Sequence, residues 1–141
     1  MPRVLIDACG WVAVIEAGIN IDQALLECVG TKELATVPNV ISELKALDDR
    51  KLLISMLQSK AELLTPKESA GNHTDDQLLS LSKEYSWPVL TVDTELKRRL
   101  SQSNLSWIEV SGRSHLSNPI DNWICRFFIK RSFEPYHSRP S

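Results

Sequence analysis

Five carboxylates stand where four separate segments of the chain change character. Asp7 ends the apolar run RVLID, Glu43 lies one turn beyond LATV, Asp75 and Asp76 open DQLLSLSKEY, and Asp93 closes WPVLTV. Singly, each has an ordinary explanation. Asp7 and Asp93 make good helix caps, Asp75 and Asp76 suit the positive end of a helix dipole, and Glu43 reads as a solvated helix residue. Jointly they ask for more, because carboxylates crowded at one place need a cation to coexist. Oxygen ligands with no Cys/His cluster point to Mg²⁺ or Mn²⁺ rather than zinc. Such ions serve phosphate chemistry, orienting a water and neutralising the leaving oxygen. Lys97, Arg98 and Arg99 follow Asp93 within two helical turns, where they would grip flanking phosphates. The alternative is a solvated helix face, with Leu96 and Leu100 turned inward.

The elements that must bring these acids together can be read from periodicity. RVLID (3–7) is a strand, GWVAVIEAG a short helix stopped by Gly18, and NIDQALLECVG a helix closed by Gly30. KELATV is a second strand, followed by a helix that tolerates Pro38 at its start. NVISELKALDDRKLLISMLQSKA reads as two consecutive helices, or one broken at DDR. ELLT (62–65) is a brief strand, and KESAGNHTDD a loop into a helix capped by Thr74 or Asp75. WPVLTV is the clearest strand, DTELKRRLSQS a helix, and LSWIEV a last strand. Strands alternating with helices give an α/β domain around a mainly parallel sheet. In such a sheet ligands bind beyond the carboxyl ends of the strands. If the strands ending at Asp7 and Asp93 are neighbours, their carboxylates share one edge.

Composition sets the limits. The 141 residues fit one domain, and 43% hydrophobic with 24% charged residues is ordinary for a globular chain. A net charge of −2 argues against coating nucleic acid by bulk charge, but not against a local basic patch. Three scattered cysteines form neither a zinc motif nor a disulfide framework, and Cys9 and Cys28 read as buried thiols. No apolar run reaches the roughly 18 residues of a membrane helix, and acids at Asp7 and Glu16 interrupt any signal-like start. The cytoplasm is the expected location. A nuclease-like unit over 1–112 is followed by an extension, 113–141. Within it WICRFFIKRSF reads as an aromatic, basic helix, since Trp123 with Phe127 and Ile124 with Phe128 are i,i+4 pairs. That helix would pack, dimerise, or stack on bases. The end, EPYHSRPS, reads as disordered.

Four pieces in order, VLIDACGWV, VPNVISELKAL, TDDQLLSLS and VLTVDTELKRRL, resemble the PIN-domain nucleases over about residues 3–110. The last is similar to the subgroup of the small-subunit pre-rRNA processing endonuclease and its archaeal relatives. The resemblance implies a three-layer α/β/α sandwich with a mostly parallel sheet. It implies metal-dependent hydrolysis of single-stranded RNA with Mg or Mn, leaving 5′-phosphate and 3′-hydroxyl ends, and a role in rRNA processing. It also carries the metal-binding acids over to Asp7, Glu43, Asp76 and Asp93. Asp76 fits the pattern better than Asp75, being followed by one residue and then paired aliphatics, while Asp75 would contribute directly or through water. Thr91 matches a small hydroxyl position that orients the site, grouped with Lys97, Arg98 and Arg99 on the RNA side. Cys9 stands where a polar residue such as Asn or Ser is frequent. Expected partners are RNA, a second copy of the chain, and a ribosome-assembly or antitoxin-type protein.

Three other readings stay open. One is a PIN fold that holds RNA or a protein without cutting, and another is the toxin subunit of a toxin–antitoxin pair. The third, a phosphatase with Asp7 as nucleophile, lacks the second Asp two residues on and a Gly-rich phosphate loop.

Overall fold

A computed structural model describes residues 3–47, 51–110 and 127–131. Among these residues, six strands form one sheet in the order β3-β2-β1-β4-β5-β6. They are β1 (Val4–Ile6), β2 (Leu34–Thr36), β3 (Ala61–Leu63), β4 (Val89–Leu90), β5 (Ser106–Val110) and β6 (Phe127–Arg131). The first five run parallel, and β6 is antiparallel to β5. The helices are α1 (Ala8–Glu16), α2 (Ile21–Val29), α3 (Pro38–Leu47), α4 (Lys51–Lys60), α5 (Thr74–Tyr85) and α6 (Thr94–Gln102). Parallel strands covered on both faces should be apolar throughout, and every residue of β1, β2 and β4 is buried. Contacts join α1 to α3 and α3 to α4, and separately α5 to α6. Right-handed crossovers place the first group on one face of the sheet and the second on the other, an α/β/α sandwich.

Local chemistry sets most boundaries. Asp7 caps α1, Asn20 caps α2 and Asp93 caps α6, each with a side-chain oxygen on a backbone N–H. Gly30 closes α2 in the left-handed region at φ 80°, as its sequence position implies. The run through DDR is two helices, with 48–50 outside the described residues. The cap of α5 differs from expectation. Thr74 is its first residue, and His73 occupies the cap position without a side-chain bond. The Thr74 hydroxyl is engaged instead with Glu43 of α3. Strand β4 is also shorter than WPVLTV suggests, covering only Val89–Leu90, although the Thr91 N–H still donates to the Ile108 carbonyl of β5 at 3.2 Å.

The reading of WICRFFIKRSF as a helix is corrected over Phe127–Arg131, which pair with β5 from Val110↔Phe127 to Ser106↔Arg131. Spacing of four residues brings side chains to one face in a strand as well as a helix, so the i,i+4 pairs do not discriminate. Aromatic and β-branched residues favour strands, and β5 without a neighbour would be an open edge. Trp123 and Ile124 lie outside the described residues, as does the 132–141 tail. The cysteine reading also changes. Cys9 is free and half-buried, whereas Cys28 is half-buried and disulfide-bonded.

The core gathers both helical layers on the sheet. Leu5, Ile6, Trp11, Leu25, Leu34, Leu44, Leu57, Leu78, Leu90, Leu96 and Leu100 are fully buried. Trp11 also donates its indole N–H to the carbonyl of Leu53 at 3.0 Å, tying α1 to α4. One close approach fixes the position of Asp7 and its helix. A Cβ on Gly10 would lie 2.5 Å from the Leu90 carbonyl oxygen, so only glycine lets α1 lie this tightly on the end of β4.

Candidate active site

Strand β1 lies between β2 and β4, so the chain builds outward from β1 to β3 and then returns to the other side of β1 for β4 and β5. That reversal between β1 and β4 is where open α/β sheets form a crevice at their carboxyl ends. Asp7 follows β1 directly and Asp93 follows β4 by three residues, so both stand at its lips. The Asp7 N–H donates to the Leu90 carbonyl at 3.1 Å, stitching the two strand ends together.

Asp7 is buried, and both of its oxygens are engaged. Oδ1 accepts the Ala8 N–H at 2.8 Å, closing the start of α1. Oδ2 accepts the Thr91 hydroxyl at 3.0 Å and the Cys9 thiol at 3.2 Å. Thr91 Oγ1 accepts in turn from the Asp93 N–H at 3.1 Å. Asp93 Oδ1 takes the N–H groups of Glu95 and Leu96 at 2.8 and 3.2 Å. Thr91 therefore couples the two acids across the crevice. It is 0% exposed, and its hydroxyl serves the two acids. Burial, followed by the Asp7 charge, pushes the Cys9 thiol up to about 11, so it stays protonated at neutral pH and donates.

The third carboxylate comes from α5. Oxygens of Asp7, Asp75 and Asp93 all lie within 4.8 Å of one another. Burial first, then the charges of Asp7 and Asp93, push the Asp75 carboxyl up to about 6; Arg99 opposes this and Glu43 adds a smaller push. Glu43 accepts the Thr74 hydroxyl, and this bond ties α3 to the first turn of α5. Asp76, which the sequence pattern favours over Asp75, is instead bound to Arg99 at 2.6 Å. Adjacent helical residues point about 100° apart, and of this pair it is Asp75 whose oxygen converges with those of Asp7 and Asp93.

The basic residues are matched with acids. Lys97 pairs with Glu109 at 3.1 Å, Arg98 with Glu95, and Arg99 with Asp76 at 2.6 Å. The structure thus gathers Asp7, Asp75 and Asp93, sets Glu43 close enough to act on Asp75, and pairs Asp76 with Arg99. Nothing in the local sequence announces the Arg99–Asp76 and Thr74–Glu43 bonds. Both are long-range pairs whose only signal is helical facing, which needs the fold to be known.

The donor set fits a hard divalent cation. It consists of carboxylate oxygens close enough to raise the proton affinity of one member, the electrostatic situation a divalent ion relieves.

No family model matches the chain, and no curated protein does. Among solved structures, the chain is similar to the PIN domain endonuclease Utp24, at 18% identity and a TM-score of 0.70 over 92% of this chain and 91% of that one. It also aligns with PAE2754 from Pyrobaculum aerophilum, at 15% identity and a TM-score of 0.48 over 67% of this chain and 77% of that one.

Proposed function

From a chain with the PIN-domain fold, we propose a divalent-metal-dependent endoribonuclease acting on single-stranded RNA, with Asp7, Asp75 and Asp93 as metal ligands. The observation that carries this is the convergence of those three carboxylates at the sheet's crevice. The match to a structure described as a PIN domain endonuclease supports it. Mg²⁺ or Mn²⁺ held there would supply Lewis acidity and an activated water for in-line hydrolysis.

The chain's own residues prepare the site. Thr91 and Cys9 hold Asp7 Oδ2 with two donors, which fixes that carboxylate in direction. The N-terminus of α6 fixes Asp93 through two backbone N–H groups. Asp75 carries the raised proton affinity, so it responds most to a cation. Glu43 adds negative charge beside it, and Asp76 anchors α5 to α6 through Arg99. Precursor rRNA is the narrower substrate that the TVDTELKRRL segment suggests.

The test is cleavage of an unstructured, end-labelled RNA with Mn²⁺ and with EDTA. Wild type should cut only with metal. Asp7→Asn, Asp75→Asn and Asp93→Asn should each lose on the order of a hundredfold or more, and Asp76→Asn about tenfold at most. Wild-type rates in all three crevice variants would overturn the proposal.

A further inference from the structure

Thr94, Lys97, Arg98, Ser101 and Gln102 recur at three- and four-residue spacing (94, 97, 101 and 94, 98, 102) and share one face of α6. With Trp107 and Glu109 of β5 they line a groove of about 420 Å³. That volume lies within the range of small-ligand clefts, about 300–1,000 Å³. The groove's lining starts at Thr94, the residue after Asp93, and follows α6, whose nine residues span about 13 Å.

Its charges are already balanced. The Lys97 ammonium donates to Glu109 Oε2 at 3.1 Å, and the Trp107 indole N–H donates to the same oxygen at 3.3 Å. Arg98, which also lines it, is paired with Glu95 outside the lining. Each cation of the lining, Lys97 and Arg98, is thus already matched by a carboxylate, Glu109 within it and Glu95 beside it. The groove offers hydroxyls, an amide, an ammonium and a carboxylate, donors and acceptors interleaved, with the 3% exposed edge of the Trp107 indole at its floor. A nucleobase has this character, with a flat apolar body and a polar edge. The ion pair is partly buried, its two side chains 24% and 22% exposed. Ion pairs so placed contribute little net stability compared with apolar residues, but they hold polar groups in a fixed arrangement.

We propose that this groove receives one unstacked nucleobase of the substrate strand, flanking the scissile phosphate, and that the Lys97–Glu109 pair reads its edge. The proposal rests on the nuclease reading for the identity of the strand. It makes the protein selective at one position next to the cut.

Two measurements test it separately from that reading. In the first, the four nucleoside 5′-monophosphates and inorganic phosphate are titrated into the full chain in EDTA, following the Trp107 indole N–H by NMR. At least one nucleotide should shift this signal, and phosphate alone should not. Glu109→Gln and Gln102→Ala should each weaken that nucleotide by about tenfold. Gln102 is exposed, so its variant keeps the test decisive where Glu109→Gln fails to fold. No shift with any nucleotide, or the same shift with phosphate, overturns the proposal. In the second, RNA randomised around one cleavage site is cut with Mn²⁺. Wild type should favour one base at a flanking position, and the variants should lose that preference ratio. An unchanged ratio overturns the groove, whereas absence of any cutting removes the nuclease reading and leaves the nucleotide titration to decide.

Discussion

Asp75→Asn should make the metal-free protein more stable while removing its response to metal. The carboxyl rises from an ordinary 3.8 to about 6, because burial and the charges of Asp7 and Asp93 oppose ionisation. Each tenfold change in proton affinity is worth about 1.4 kcal/mol, so the gap corresponds to at most about 3 kcal/mol. Asp75 is only partly buried, and solvent screening reduces this to about 1 kcal/mol. The folded state binds this proton more tightly than the unfolded one. The penalty is therefore absent below about pH 4, grows between about pH 4 and 6, and is complete above pH 6. In urea unfolding with EDTA at pH 8, Asp75→Asn should exceed wild type by about 1 kcal/mol, and at about pH 4 the two should coincide. Saturating Mn²⁺ at about a hundred times its dissociation constant should then raise wild type by about 2.7 kcal/mol and leave the variant unchanged. A variant that is less stable than wild type at pH 8 without metal would refute the electrostatic argument. Equal stabilisation of both proteins by Mn²⁺ would refute the ligand assignment.

Two further substitutions probe the frame behind the acids. Thr91→Val keeps the shape but removes the donor to Asp7 and strands the Asp93 N–H, so urea unfolding should show a loss of about 1–3 kcal/mol, recovered by Thr91→Ser. Gly10→Ala gains about 1 kcal/mol of helix propensity. It also forces a methyl to 2.5 Å from the Leu90 carbonyl oxygen, and overpacking of this kind costs about 1–3 kcal/mol, so calorimetry should show a net loss; a higher midpoint would disprove the close approach.

The order of elements through β5 and the meeting of Asp7 with Asp93 are legible in the sequence, because hydrophobic period and strand-end acids are local signals. Less is legible where the answer depends on partners distant along the chain. Asp75 and Asp76 are neighbours with the same chemistry, and only the direction of α5, held by Thr74 to Glu43 and by Arg99 to Asp76, selects between them. The basic cluster is ambiguous for a similar reason. Lys97 counts as free until β5 brings Glu109 against it. Strand β6 escapes a local reading because pairing to an open edge belongs to the sheet rather than to the segment.

Asp93 does two jobs with different requirements. Its Oδ1 closes α6, and the closing needs only an oxygen that accepts, which an asparagine amide also supplies. Holding a cation needs the negative charge. The architecture is thus indifferent to a substitution that would silence the chemistry. Under the proposed nuclease reading, swapping a single oxygen for an NH₂ group there should leave a well-folded protein that binds a strand but leaves it whole, a ready-made trap for isolating whatever RNA it would cut.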